Sequence, residues 1–208
     1  MRSFALAVVA GLVLAGCGAD EADEAAGPEP ATVTVTQTVA APTESAPAEP
    51  AADCSTAGLR LTLPEQDLPD AVAAIRERIF GAAVACDYDT LEQIALERGA
   101  GFTFSYGAGG SAADFWRAAE EGGTEEPKPM RALATILTLP YARNESGSYA
   151  WPTAYSEAPT EEAWQALVQA GLYAQEAVAR MREQNTGYLG YRTAVTPDGD
   201  WQFFVAGD

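Results

Sequence analysis

The sequence predicts an α+β fold, a small antiparallel sheet with helices packed on one face, in a single globular domain over residues 54–208. Two kinds of pattern point there. Apolar residues recur at helical spacing in several separate segments, and two aromatic, β-branched runs close the chain around strong turn chemistry. The stretch is long enough to bury a core, and no internal repeat divides it.

The elements follow in order. Leu59 to Leu63 alternates and reads as a first short strand. Pro69 opens a helix to about Ala85, with Val72, Ile75, Ile79 and Phe80 on one face. Asp89 and Glu92 have capping-box spacing for a second helix that carries Leu91, Ile94, Ala95 and Leu96 and ends at Gly99. Gly101 to Tyr106 reads as a strand, Gly107 to Ser111 as a loop, and Ala112 to Glu121 as a short helix bearing Phe115 and Trp116. Met130, Leu133, Ile136, Leu137 and Leu139 predict a helix that stops before Pro140. Tyr149 to Pro152 reads as an edge strand, because Pro152 has no N–H for a ladder. Thr160, followed by Glu161 and Glu162, opens a helical region to about Glu183, broken near Gly171. Tyr188 to Val195 and Trp201 to Ala206 flank Thr196-Pro197-Asp198-Gly199-Asp200, a hairpin expected at the centre of the sheet. Phe203 and Phe204 are adjacent, so on a strand one faces the core and the other faces away.

Ahead of the domain the chain has a different character. Arg2 and the apolar run Phe4 to Leu14 end in Leu14-Ala15-Gly16-Cys17, too short to span a bilayer. The run and its ending resemble the signal peptide and lipobox of bacterial lipoproteins. That resemblance implies removal of residues 1–16, a diacylglycerol on Cys17, and a membrane anchor outside the cytoplasm. Residues 17–53 hold eight acids, no base and no aromatic, and are rich in Ala, Pro and Thr; they read as a disordered tether. Its Thr32 to Thr36 alternation has strand periodicity without a second hydrophobic element to pair with.

The whole chain has 12 basic and 30 acidic residues, no histidine, and a net charge of −18. Such a surface repels phosphate backbones and anionic headgroups, which argues against nucleic acid as a partner and against a basic membrane face. The absence of histidine removes Ser-His-Asp and Cys-His catalysis and histidine-ligated zinc. No cofactor or metal motif stands out. Gly107-Ala108-Gly109-Gly110 lacks the Lys and Ser or Thr of a phosphate loop, and no calcium-loop pattern follows Asp87 and Asp89.

Several residues remain as candidates. With Cys17 lipidated, Cys54 and Cys86 form an even pair outside the cytoplasm, and a bridge would close a loop of 33 residues counted inclusively. Two unpaired thiols are the alternative. Asp87 and Asp89 suit helix capping, or an acid–base pair beside a tyrosine. Tyr106, Trp116, Trp151, Tyr188, Tyr191 and Arg192 would make an aromatic pocket with one fixed positive charge, suited to a sugar or a carboxylate. Core packing is the competing account of the rings, and a salt bridge that of Arg192. Asn144-Glu145-Ser146 matches a glycosylation acceptor but reads as loop.

The closing stretch Gly187 to Asp208, with Ala85 to Asp89 and Phe115-Trp116, resembles a recurring family of uncharacterised bacterial lipoproteins frequent in actinobacteria; it implies no activity. The order of elements is also similar to cone-shaped, nuclear-transport-factor-like folds, an analogy of architecture alone. The expected role is a membrane-anchored, non-catalytic binding or interaction module at the cell envelope, with an envelope protein or a small molecule as partner. The alternatives are a histidine-free enzyme using a carboxylate and a tyrosine, or a structural envelope protein.

Overall fold

The structure, a computed structural model, describes residues 54–97, 101–107, 109–122, 127–184 and 187–207. The expected signal segment, Cys17, the expected acidic tether with its Thr32 to Thr36 alternation, and the expected helix end at Gly99 lie outside the described residues. Six helices, α1 (Asp70–Ala85), α2 (Tyr88–Leu96), α3 (Ala112–Gly122), α4 (Pro129–Thr138), α5 (Glu161–Gln169) and α6 (Gln175–Glu183), accompany four short strands. These are β1 (Ala142–Arg143), β2 (Tyr149–Trp151), β3 (Arg192–Val195) and β4 (Trp201–Val205), and each is antiparallel to its neighbour in the order β1-β2-β3-β4. The fold is α+β.

Pro69 precedes α1 with φ −57°, already near the helical value, and Val72, Ile75 and Ile79 turn inward from it. The helix ends at Cys86, held left-handed at φ 51°, with the amides of Cys86 and Asp87 closing on the carbonyls of Ala83 and Ala82. Cys86 is bridged to Cys54 with 5.8 Å between Cα atoms, which ties the start of the domain to the end of its first helix. The α4 segment is buried along nearly its whole length and forms the centre of the core.

Several expectations are corrected. The N-cap of α2 is Asp87, whose carboxylate accepts from the Thr90 amide at 3.0 Å and its hydroxyl at 2.7 Å. Glu92 instead reaches across to the amides of Ala112 and Ala113 at 2.7 and 3.4 Å, where it caps α3. Leu59 to Leu63 forms no strand; Leu61 and Leu63 lie half-buried on the core with no ladder beside them. Gly101 to Tyr106 contributes a single parallel bridge, Thr103 to Phe203, because Thr103 alone exchanges both of its backbone bonds with β4. β2 is interior rather than an edge: the strand stops at Trp151, so the missing donor of Pro152 falls just outside the ladder. The edge is β1, two residues long and too short to show alternation.

The hairpin forms, but β3 begins at Arg192 rather than Tyr188. Residues 188–191 are held in another shape by the Tyr188 hydroxyl donating to the Tyr191 carbonyl (2.8 Å) and the Tyr191 amide donating to the Tyr173 hydroxyl (2.9 Å). β3 is interior as expected; β4 ends the four-strand order, with Thr103 on its outer side. At the turn, Gly199 has φ 88°, and an added Cβ would lie 3.0 Å from the Ala71 carbonyl oxygen.

Register assigns the faces. Thr193 stands opposite both Trp151 and Phe204, and this side meets the helices: Trp116 lies 6.0 Å from Phe204 and 5.9 Å from Trp201. Ala142, Ala150, Ala194 and Phe203 form the corresponding row on the other side, where Tyr155, from a 3-10 turn at Thr153–Tyr155, meets Phe203 edge-on at 6.0 Å. As the alternation predicts, Phe204 is buried in the core and Phe203 is half-buried on the far side. Trp116, Trp151 and Phe204 occupy the helix-covered side, so the cone analogy finds no open interior on this side among the described residues.

Candidate functional site

The six residues grouped as a pocket separate into two sets. Trp116 and Trp151 are fully buried on the core side, as the packing account of aromatic residues has it. Trp151 is further fixed by its indole N–H donating to Gln66 Oε1 at 3.1 Å, while Arg76 lies 5.8 Å from its ring. Neither tryptophan can line a pocket. Tyr191 stacks on Phe204 at 5.2 Å and is half-buried. Tyr188 is buried in the core cluster against Trp164 (6.1 Å) while also lining an open cleft, and Tyr106 and Arg192 meet at the far side of the sheet.

Arg192 opens β3 and projects to the same face as Ala194 and Phe203. Only 6% of it is exposed. Its Nη1 donates to the Gly190 carbonyl at 3.2 Å, and its Nη2 donates to the Gly207 carbonyl at 2.7 Å and the Tyr106 hydroxyl at 3.3 Å. The guanidinium carbon lies 5.2 Å from the Tyr155 ring and 6.0 Å from the Tyr106 ring. The expected salt bridge is replaced by carbonyls and rings: no carboxylate among the described residues pairs with Arg192, and its buried Nε has no partner.

Arg192 lines an open cleft of about 940 Å³. Tyr155, Ser156 and Glu157 border it from the segment after β2, Arg143, Asn144, Glu145 and Ser146 from the β1–β2 turn, and Tyr188 from the run into β3. Asn144 builds its rim: Oδ1 accepts from the Ser148 amide (2.8 Å) and the Ser146 hydroxyl (2.7 Å), which fixes the Asn144-Glu145-Ser146 stretch as a turn. Arg143 lies 4.2 Å over the Tyr149 ring. The floor is rigid. An added Cβ at Gly190 would fall 2.5 Å from the Tyr188 ring and hydroxyl and 2.6 Å from the Tyr173 hydroxyl, so only glycine leaves room for the two tyrosines here. Burial pushes the Tyr188 hydroxyl well above its ordinary pKa, and Tyr173 is raised for the same reason, so both hydroxyls keep their protons.

The acid–base alternative loses its geometry. Asp87 is engaged with Thr90, and Asp89 pairs with Arg117 at 2.8 Å; both are exposed, with Arg117 lying over Tyr88 at 5.1 Å. Among the described residues no group of His, Cys, Asp and Glu could hold a metal ion. Sequence reasoning missed Arg143 and Tyr155, which the β1–β2 pairing and the turn after β2 bring to the cleft. It also missed two structural hubs. Arg76 is buried and caps the end of α4 by donating to the Leu137 carbonyl at 2.7 and 3.2 Å. Glu120 accepts from the Ser55 hydroxyl (3.0 Å) and the Met130 amide (2.7 Å), joining the disulfide segment to the start of α4. A buried arginine on an apolar helix face was the one available signal for Arg76. Compared with protein-family models, curated proteins and solved structures, the chain matches none.

Proposed function

We propose that this chain is an extracytoplasmic lipoprotein, anchored through acyl chains on Cys17, whose domain serves as a non-catalytic binding module presenting the Arg192 cleft. The anchor rests on Leu14-Ala15-Gly16-Cys17 at the end of a short apolar run. The likeness of Gly187 to Asp208 to actinobacterial-type lipoproteins supports the same placement. The Cys54–Cys86 bridge suits an oxidising compartment, where such bonds persist. Among the described residues no helix is long and apolar enough to cross a membrane, so retention would depend on lipid. The observation that carries the binding role is Arg192, a buried cation without a carboxylate partner among the described residues, at the wall of an open, half-polar cleft. The site holds fixed donors and ring faces, the apparatus of recognition. Fractionation of cells expressing Cys17→Ser tests the anchor: the variant should leave the membrane fraction, and retention after a high-salt wash would overturn it.

A further inference from the structure

The ligand class can be read from the guanidinium itself, on the premise that the cleft binds. We infer that the Arg192 cleft takes a carboxylate, docked side-on against the Nε–Nη2 edge of Arg192 in place of the Tyr106 hydroxyl. A carboxylate accepts two parallel N–H bonds from one edge of a guanidinium, and the Nε–Nη2 edge offers such a pair. That edge is under-used. Nε is buried without a partner, and Nη2 spends its second bond on Tyr106 at 3.3 Å, the long end of the hydrogen-bond range. Nη1 and the other Nη2 bond are fixed by the carbonyls of Gly190 and Gly207, so the guanidinium is held in place for a partner.

Tyr106 is suited to yield. It is 60% exposed, beside the glycine-rich loop, and its hydroxyl bond to Arg192 is the weak one. Tyr155, which lines the cleft 5.2 Å from the guanidinium carbon, stays to stack on whatever carries the carboxylate. Charge separates carboxylates from more highly charged anions. Arg143 and Arg192 balance Glu145 and Glu157 within the lining, in a domain that carries 22 acids and 11 bases. A monoanion that pairs directly with Arg192 fits this neutral spot, whereas a phosphate dianion meets the two glutamates at the rim.

The carboxylate can belong to an acidic sugar or to a peptide terminus, and the test separates them. In the full-length chain in detergent micelles, the Arg192 Nε–Hε cross-peak of a ¹H–¹⁵N spectrum, assigned by its loss in Arg192→Lys, is followed with four probes: glucuronate, glucose, N-acetyl-alanyl-alanine and the amide of that peptide. The carboxylate probes should move the peak saturably, with the tighter one naming the source, and the neutral partners should leave it in place. Tyr106→Phe removes the competing hydroxyl and should tighten binding of the carboxylate probes about two- to fivefold by titration calorimetry, which needs no peak assignment and so survives even if Arg192→Lys fails to fold. Equal movement by neutral and charged probes would overturn the carboxylate while keeping a binding cleft. No movement with any probe, in wild type or Tyr106→Phe, would overturn both the carboxylate and the cleft as a binding site, with the membrane anchor judged separately by fractionation.

Discussion

The two faces of the sheet treat their aromatic residues in opposite ways. On the helix side Trp116, Trp151, Trp201 and Phe204 are packed ring against ring or against apolar helices, and the indoles of Trp151 and Trp201 are tied off inside, the latter donating to Thr193 Oγ1 at 2.7 Å. On the other side a row of alanines leaves room for Tyr155 and Phe203, and a buried arginine keeps one N–H unused. Burial is almost as deep at Arg192 as at Trp116, so depth alone does not mark a site. What differs is whether the buried polar groups are satisfied.

The comparison breaks most completely if β4 is removed. A chain ending at Gly199 should lose its cooperative thermal transition and near-UV circular dichroism, since Trp201 and Phe204 leave the core with it; retention of both would make the hairpin peripheral. Substitution sharpens it. Phe204→Ala should cost about 3 to 5 kcal/mol in denaturant unfolding, and Phe203→Ala no more than about half of that, because Phe203 is already half open to solvent. Equal costs would mean that the two faces are packed alike. Opening the Cys54–Cys86 bridge through Cys54→Ala should cost up to about 3.5 to 4 kcal/mol on loop entropy, and a reductant should then have no further effect on the variant. Alkylation of two thiols in the unreduced wild type would contradict the bridge. Gly190→Ala should destabilise by roughly 1 to 3 kcal/mol, from overpacking against Tyr188 and Tyr173.

The smallest effect is with pH. Tyr188 and Tyr173 have pKa values raised by burial above the ordinary 10.0, so the folded chain holds these protons more tightly than the unfolded one. Their contribution is therefore fully present below pH 10 and is lost as pH rises from there through the folded values. Stability measured by urea unfolding should fall on that alkaline limb, and Tyr188→Phe should flatten the fall. An unchanged slope in the variant would show that Tyr188 does not carry it.

Periodicity made much of the fold legible. The helices at Asp70–Ala85 and Pro129–Thr138 begin and end where proline and apolar spacing put them, because a proline and a buried stripe act over neighbouring residues. The opposed faces of Phe203 and Phe204 follow from strand geometry alone. Strand membership was less legible. Leu59 to Leu63 alternates as well as any strand here, yet no partner lies beside it, while two unremarkable residues, Ala142 and Arg143, pair with β2. Alternation reports which side is apolar, not whether an edge is available.

The site divides the same way. The sequence by itself determined the acidic charge, the absence of histidine chemistry, the cysteine pair and Arg192 as a cation among apolar neighbours. Only the tertiary structure decided that Trp116 and Trp151 belong to the core, that Glu92 caps α3 rather than its own helix, and that Arg143 and Tyr155 join Arg192 at one cleft. The physical reason is range: capping, turn chemistry and side-chain alternation act within a few residues of the chain. The partner of a buried charge is chosen by strand register and loop packing, which bring together groups as far apart in sequence as Tyr106 and Arg192.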